Sequence, residues 1–342
     1  MRILHCILSR GFRGAERHVA ELASAQAARG HAVTLVVRRD CAEEGRSILP
    51  HVGPGVTVRK LGPWLRRWRL RRLLREAAPD IVHTHGGRAG RALGAIRTGA
   101  PTLATLHLDY RPKWYRGHDA LIAQADWQRD AALAGGFKGM VARVNAWSHP
   151  HPPPDAATVA RLRVEMGAGP GERLVLAVGQ LIPEKGMDLL VRAVRALPDP
   201  RLRLAVAGHG AGRAGLEALA AGDRRIRLLG FRDDVRDLYF AADLFCSPSR
   251  FEPFGLVFLE ALDAGLPVVA STSEGAKAIL TSLPNTRLVP PSEEPGPLAE
   301  ALAAMLDAPR HRQDMSPWSP EACFDGIEAV YRELLSRRAT PA

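Results

Sequence analysis

The sequence has few cysteines and no long apolar run. Its 342 residues include four cysteines, and no two of them form a C-x-x-C pair. Scattered cysteines argue against a disulfide framework or a zinc site and suit a reducing compartment. No window approaches the roughly 18 uninterrupted apolar residues of a membrane-spanning helix, and the apolar patch at the N-terminus is too short for a signal peptide. We therefore expect a cytoplasmic protein.

Acidic residues are scarce in the first half of the chain. Residues 1–150 contain 25 Lys and Arg against 11 Asp and Glu, a net charge of +14. Residues 151–342 contain 22 against 25, a net charge of −3, and the two sums return the overall +11. A positive field confined to one half predicts an anionic partner for that half.

Short apolar segments that read as strands alternate with helical segments along the chain. This alternation predicts an α/β fold with parallel sheets covered on both faces. The segment SHPHPPP at 148–154 can continue neither a helix nor a central strand, so we predict that it connects two domains, at 1–150 and 155–319. The predicted strands lie at 1–8, 31–39, 79–85, 101–107, 119–125, 173–181, 201–208, 225–230, 243–248, 266–271 and 286–290.

The stretch SRFEPFGLVFLEALDAGLPVVAS, at 249–271, places a glutamate inside an apolar helix. We predict that the helix begins near Gly255 and ends at Gly265, with free N–H groups at its start that attract an anion. Glu260 is costly to bury without a partner. A pyrophosphate at the helix start, with a hydroxylated ring beside Glu252 and another beside Glu260, would satisfy both carboxylates. That ligand is a nucleotide sugar; the alternative is a structural pair between Glu260 and an arginine.

Other motifs follow a fixed order along the chain: SRGFRGAERHVAEL, PDIVHTH, TLH, VGQLIPEKGMDLLV and LLGFRDD, then EPFGLVFLE. In this order they resemble the retaining GT-B glycosyltransferases, family 4 in particular, whose signature is E-x7-E. The resemblance spans nearly the whole chain. It implies two Rossmann-like domains whose parallel sheets face a central cleft. The last helix, in 320–342, would complete the N-terminal acceptor domain, and 155–319 would bind the donor.

The resemblance also implies roles for individual residues. Glu252 would bond hydroxyls of the donor sugar, and the backbone amides of Phe254 and Gly255 would lie near the sugar and the β-phosphate. Glu260 would hold the ribose diol, and Lys185 would neutralise the pyrophosphate.

Four further positions complete the implied site. His107 would face the donor sugar from the N-terminal domain, and Gly14 would allow close approach of the backbone to the phosphates. Phe231 and Arg232 follow the position where the nucleobase usually rests.

Two positions depart from the family pattern. Gln180 stands where the family usually has an arginine beside the phosphates, and a glutamine lacks the charge and the bidentate fork. Arg13 stands where the first of two loop glycines usually lies. We hypothesise that Arg13 and Lys185 together replace the usual Arg–Lys pair.

No metal site is predicted. The chain shows no D-x-D-like motif in the right setting, so we expect catalysis without a metal or other cofactor. We expect His83 and His85, which flank one residue of a strand, to point to opposite faces and not to form a chelating pair. His5 is expected to be structural.

Residues 59–75, RKLGPWLRRWRLRRLLR, carry eight basic residues and no acid. In a helix from about Trp64, one face would present Leu70, Leu73, Leu74 and Ala77 to the sheet. Trp64 and Trp68 would lie among arginines on the other face, which suits an anionic membrane surface. A simple solvated basic helix is the equal alternative. Nucleic-acid binding is less favoured, because no nucleic-acid-binding motif accompanies the charge.

The function implied is that of a hexosyltransferase. It would move a sugar from a nucleotide sugar, for which we expect UDP as the nucleotide, with retained anomeric configuration. The acceptor would be a lipid-linked, lipopolysaccharide or other cell-envelope glycan, reached by an enzyme peripheral to the inner membrane face. The alternatives are another sugar-nucleotide enzyme of this fold, such as an epimerase or phosphorylase, and a non-catalytic membrane- or nucleic-acid-binding protein.

Overall fold

The chain folds as two compact units in the computed structural model, which describes residues 1–43, 45–62 and 66–339. The N-terminal unit comprises Met1–Ala146 and Pro320–Ala342, and the C-terminal unit comprises Trp147–Ser319. The chain passes from the first unit to the second just before the Pro-rich segment and returns at the last helix.

The N-terminal unit is built on a seven-stranded sheet in the order β3-β2-β1-β4-β5-β6-β7. All pairings are parallel. The strands are β1 Arg2–Ile7, β2 Ala32–Arg38, β3 Val56–Leu61, β4 Ile81–His85, β5 Thr102–Leu106, β6 Ala120–Ala123 and β7 Met140–Arg143; the helices are α1 Gly14–Ala28, α2 Arg66–Ala77, α3 Gly86–Gly94, α4 Pro112–Tyr115 and α5 Asp126–Ala134, with the C-terminal helix at Pro320–Ala339.

The C-terminal unit has a six-stranded parallel sheet in the order β10-β9-β8-β11-β12-β13. The strands are β8 Arg173–Val178, β9 Leu202–Ala207, β10 Ile226–Gly230, β11 Leu244–Ser247, β12 Val268–Ser271 and β13 Thr286–Val289; the helices are α6 Ala156–Glu165, α7 Met187–Ala196, α8 Arg213–Ala220, α9 Val235–Ala241, α10 Leu256–Asp263, α11 Glu274–Leu280 and α12 Gly296–Met305.

Each strand predicted from the sequence is present, and two strands were missed. Both missed strands, β3 and β7, are edge strands of the N-terminal sheet. β3 alternates half-buried and exposed residues and carries Arg59 and Lys60, and all four residues of β7 are half-buried. An edge strand lacks the continuous apolar run of a central parallel strand, so its signal in the sequence is weak.

The predicted inner face of the basic helix α2 is confirmed. Leu70 and Leu74 are buried in a cluster with residues of β1, β2 and β4, and Leu73 and Ala77 pack against it. Trp64 lies outside the described residues. Within the described ranges, no helix is long and apolar enough to cross a bilayer.

Candidate functional site

The N-terminus of α10 is shaped by a glycine in the left-handed region. Gly255, the N-cap, has φ 90°, and a Cβ added there would lie 2.5 Å from the Phe258 ring. A side chain at position 255 would therefore be strained and would clash. The helix runs Leu256–Asp263, close to the predicted bounds, and the chain before it carries Glu252 and the buried Phe254.

An ion pair between Lys185 and Glu252 lies beside this helix start. Lys185 Nζ donates to Glu252 Oε2 at 2.5 Å, and both side chains are largely buried. Lys185 ends a short 3-10 turn, Pro183–Lys185, which follows β8. The pairing satisfies a carboxylate and an ammonium that would each be costly to bury alone. The structure thus brings together the residue predicted to bond the donor sugar, Glu252, and the residue predicted to neutralise the pyrophosphate, Lys185.

Arg250 links the turn that contains Lys185 to the segment that contains Glu252 through hydrogen bonds. Its guanidinium donates to both carboxylate oxygens of Asp188, at 2.9 and 3.0 Å, and to the Pro183 carbonyl at 2.8 Å. The hydrogen bonds from Arg250 hold the pKa of Asp188 at about 2. A bidentate pair of this kind fixes geometry as well as charge. Sequence reasoning missed Arg250 and Asp188, because no local signal links positions 62 residues apart.

Glu260 already has protein partners. Its Oε2 accepts a hydrogen bond from the Tyr239 hydroxyl at 3.0 Å, and its Oε1 lies 3.8 Å from Arg236 Nη1. The structural pair with an arginine, which the sequence left open as the alternative to a ligand, is therefore present, and a hydrogen bond from Tyr239 accompanies it. The apolar residues around Glu260 in sequence gave no sign of α9, which supplies both partners.

Three other predicted donor-binding residues lie at strand ends of the same unit. Phe231 follows β10 and is about half exposed. Arg232 is paired with Asp234 and with Glu165, at 2.5 and 3.1 Å respectively, and these hydrogen bonds raise its pKa. Gln180, two residues beyond β8, is partly exposed.

In the N-terminal unit, Arg13 and Gly14 lie at the start of α1. Arg13 is the N-cap and Gly14 the first helical residue, and both are exposed. The Arg13 guanidinium is paired with Glu43, while its backbone N–H donates to Glu16 Oε2 at 3.0 Å. Glu16 also accepts from the Ser9 hydroxyl. The loop is thus held by Glu16, and the Arg13 side chain extends toward solvent with one carboxylate partner.

His107 follows β5 and belongs to a cluster of five imidazoles. His5 Nδ1 lies 3.0 Å from His85 Nε2, and His85 Nδ1 lies 3.2 Å from His107 Nε2. The rings of His83 and His85 are 4.2 Å apart. His18, from α1, meets His107 edge-on at 4.8 Å and has Nδ1 at 3.4 Å from Gln124 Nε2.

The predicted separation of His83 and His85 was wrong. Side chains alternate along a strand, so residues two apart share one face. His5 pairs with His83 in the register of β1 and β4, which brings three imidazoles together on that face. Burial lowers the pKa of His5 and of His107 to about 4, and it also holds the pKa values of His18, His83 and His85 well below their usual range. The cluster is therefore neutral at pH 7.

Two family models match the sequence. Residues 12–163 match the model described as Glycosyltransferase Family 4. Residues 160–320 match the model described as Glycosyl transferases group 1. Together the matches extend from the loop before α1 to the start of the C-terminal helix.

Individual relatives and solved structures agree with these matches. The lipopolysaccharide core biosynthesis glycosyltransferase LpsD of Rhizobium meliloti (strain 1021) is 28% identical over 336 residues, which cover 90% of this chain and 89% of LpsD. HepE of Anabaena, solved with UDP and glucose, superposes with a TM-score of 0.75 at 19% identity over 99% of this chain and 98% of HepE. WaaG, a glycosyltransferase involved in lipopolysaccharide biosynthesis, superposes with a TM-score of 0.70 at 20% identity over 98% of each chain. The predicted GT-B fold class is confirmed.

The neutral histidines make the stability of the N-terminal unit depend on pH. Unfolded histidines have a pKa of about 6.5, so between pH 6.5 and about 4 the unfolded chain binds protons that the folded chain does not. Stability is therefore complete above pH 6.5 and falls as the pH falls through this window. The residues concerned are His5, His18, His83, His85, His107 and His118.

Calorimetric melting from pH 7.5 to pH 5 measures this effect, and we expect a lower melting temperature at pH 5. His118→Asn, which removes one titrating group and keeps a donor for the Tyr115 carbonyl, should flatten the dependence. The exposed His311→Asn should leave it unchanged. A melting temperature that is constant across this range would contradict the assignment.

Proposed function

Because this chain belongs to the family 4 glycosyltransferases of the GT-B fold, we propose that it transfers a sugar from a nucleotide sugar to a glycan acceptor with retained anomeric configuration. The family is one of transferases, which favours transfer over the epimerase, phosphorylase and non-catalytic alternatives. The observation that carries the proposal is the Lys185–Glu252 pair at the start of α10. It places a cation and an acceptor-only carboxylate beside a helix N-terminus, which together complement a phosphate next to a hydroxylated ring.

Donor binding would separate this pair. Lys185 would turn to the pyrophosphate, and Glu252 would accept hydrogen bonds from sugar hydroxyls in place of its lysine. As the sugar leaves, negative charge grows on the nucleoside diphosphate, and Lys185 and the N–H groups of α10 would stabilise it. We expect no metal requirement, because these cationic groups meet that charge. Transfer with retention would proceed on one face of the sugar, with the leaving phosphate helping to deprotonate the acceptor.

The nucleoside would lie between Glu260 and Phe231. A carboxylate offers about four acceptor positions, so the Tyr239 hydrogen bond does not exhaust Glu260, and the ribose diol would take others. The exposed Phe231 ring would stack on the base, with Arg232 and its ion pairs supporting the loop. We propose UDP as the nucleotide; the structures of Anabaena HepE hold UDP and UDP-glucose, which supports this choice.

Three residues of the N-terminal unit would take part in donor binding. Arg13 would supply the positive charge that Gln180 lacks, and Gly14 and His107 would have other roles. Arg13 would exchange Glu43 for the donor phosphates, which is a favourable exchange because its exposed ion pair is weak. Gly14, beside it, would leave the backbone accessible. His107 would bond the donor sugar as a neutral imidazole.

The acceptor that we propose is a lipopolysaccharide core or related cell-envelope glycan, bound by the N-terminal unit. The LpsD relative is named for lipopolysaccharide core biosynthesis, which supports this choice. The net charge of +14 on residues 1–150 would complement an acceptor that carries anionic groups.

Glu252→Gln tests the proposed reaction. The substitution keeps the size of the side chain but removes the charge that orders sugar hydroxyls and holds Lys185, so we expect transfer to fall about 100-fold or more. The assay measures UDP release from UDP-sugars in the presence of lipopolysaccharide core acceptors, after a thermal-shift panel of UDP-, GDP- and ADP-sugars has identified the donor.

Glu184→Gln is the matched control, because Glu184 is an exposed glutamate beside Lys185. It should transfer at the rate of the unaltered protein. If a folded Glu252→Gln protein transfers sugar at the rate of the unaltered protein, the proposal is wrong.

We further propose that α2 rests on an anionic membrane surface. Trp68 is about half exposed, and the Arg72 guanidinium lies 5.9 Å from its ring. Leu70 and Leu74 are buried on the opposite side. An exposed tryptophan among arginines is typical of a helix that lies in the headgroup region.

Liposome flotation tests this surface. We expect the protein to float with vesicles that contain phosphatidylglycerol and to remain behind with phosphatidylcholine alone. Trp68→Ala should reduce flotation several-fold, whereas Leu133→Ala, which removes an equally exposed apolar side chain from α5, should not. Equal flotation of both variants would favour the solvated-helix alternative.

A further inference from the structure

We propose that His18, His85 and His107 of the N-terminal unit form a binding site for a divalent transition-metal ion such as Zn²⁺. One ring nitrogen from each of the three lies within 4.8 Å of the other two. They come from three separate elements: α1, the end of β4 and the residue after β5. The site shares His107 with the proposed donor contact, but the inference concerns binding of the ion alone and is tested without donor or acceptor.

The separation of the two best-defined nitrogens fits a shared ion. Zinc binds imidazole nitrogen at about 2.0–2.1 Å in a tetrahedral arrangement, which places two ligand nitrogens about 3.3 Å apart. His85 Nδ1 and His107 Nε2 are 3.2 Å apart. The same gap can hold a single proton in a hydrogen bond between the rings. One proton and one metal ion therefore compete for this position.

A chain of hydrogen bonds fixes which nitrogen of His85 is bare. Gln26 Nε2 donates to the Tyr331 hydroxyl, so Gln26 Oε1 faces His5 Nε2 at 2.7 Å and must accept a hydrogen bond from its N–H. His5 Nδ1 then carries a lone pair and accepts from His85 Nε2 at 3.0 Å. The remaining nitrogen, His85 Nδ1, has its lone pair directed at His107.

This chain has the form of the outer hydrogen bonds that support metal-bound histidines. A ligating imidazole usually donates its other N–H to a fixed acceptor, which orients the ring and raises its basicity. For His85 the acceptor is His5 Nδ1, and His5 is itself held by its hydrogen bond to Gln26 Oε1. In the hydrogen bond between the rings, His107 Nε2 carries the hydrogen, because His85 Nδ1 has the lone pair. For the ion to bind, that hydrogen would move to His107 Nδ1, which leaves the ring neutral.

A second trio, His5, His83 and His85, is equally compact but less suited to an ion. His83 Nδ1 is 2.6 Å from the Tyr331 hydroxyl and its Nε2 is 2.8 Å from Thr105 Oγ1. Both nitrogens of His5 are also in hydrogen bonds. An ion there would break several buried hydrogen bonds, each costly to lose, and all three residues are buried. His107, in contrast, is partly exposed and offers a path from solvent.

Titration with Co²⁺ tests the site, because Co²⁺ takes the geometry of zinc and absorbs visible light when bound by few ligands. The full chain, stripped of metal with EDTA, should bind one equivalent at pH 7.5, and Zn²⁺ should displace it. His18→Gln and His107→Gln should each abolish the visible band. Gln26→Leu, which unfixes the His5–His85 chain, should weaken binding about 10- to 100-fold.

Two variants serve as controls. His311→Gln, at an exposed position of the C-terminal unit, should bind as the unaltered protein does, and His83→Gln should retain the band. Thermal melting establishes whether each variant is folded. If the buried His18→Gln variant is unstable, His107→Gln still tests the site, because His107 is partly exposed and its substitution disturbs the core less. The proposal is overturned if no Co²⁺ binds, if His107→Gln binds it normally, or if His83→Gln alone loses it.

Discussion

The ion pair between Lys185 and Glu252 is the interaction on which the proposed donor site depends. It joins the turn after β8 to the segment before α10, and the bidentate contact of Arg250 with Asp188 holds the two segments in register. Removing either charge would leave the other largely buried without a partner. The pair thus stabilises these two loops, and the same two groups are complementary to a phosphate and a sugar.

In the N-terminal unit the histidine cluster is neutral, in contrast to the Lys185–Glu252 ion pair of the C-terminal unit. Its surface is strongly positive, yet the polar side chains gathered at the ends of β1, β4 and β5 are neutral imidazoles, amides and hydroxyls. Burial disfavours the charged form of a histidine, and hydrogen bonds to neighbouring amides and hydroxyls stabilise the neutral form. The positive charge that would attract the proposed anionic acceptor and the neutral surroundings of His107 are therefore separate properties of one unit.

The sequence predicted much of this architecture, and the failures have physical causes. Central strands and the helix start at Gly255 carry strong local patterns, so the alternating fold and the segment with Glu252 and Glu260 were predictable. The edge strands β3 and β7 lack such a pattern. The partners of Glu260, Tyr239 and Arg236, lie on α9, and no residue spacing reveals a contact between two helices.

The histidine cluster shows a different kind of failure. His83 and His85 were assigned to opposite faces, although side chains two apart on a strand share a face. With the correct geometry, β4 alone predicts one imidazole pair. His5 joins this pair because of strand order and register, and His18 joins it because of how α1 packs. Local sequence determines none of these features.

The central claim, that Lys185 leaves Glu252 to bind donor phosphate, is tested most directly by calorimetric titration with UDP. Lys185→Met should weaken UDP binding about 10- to 100-fold, a loss of roughly 1.4 to 2.7 kcal/mol, and Arg13→Ala should weaken it less. Lys277→Met is the matched control, since Lys277 also pairs with a glutamate, Glu274, at 2.7 Å on α11. UDP affinity that is unchanged in folded Lys185→Met protein would contradict the account.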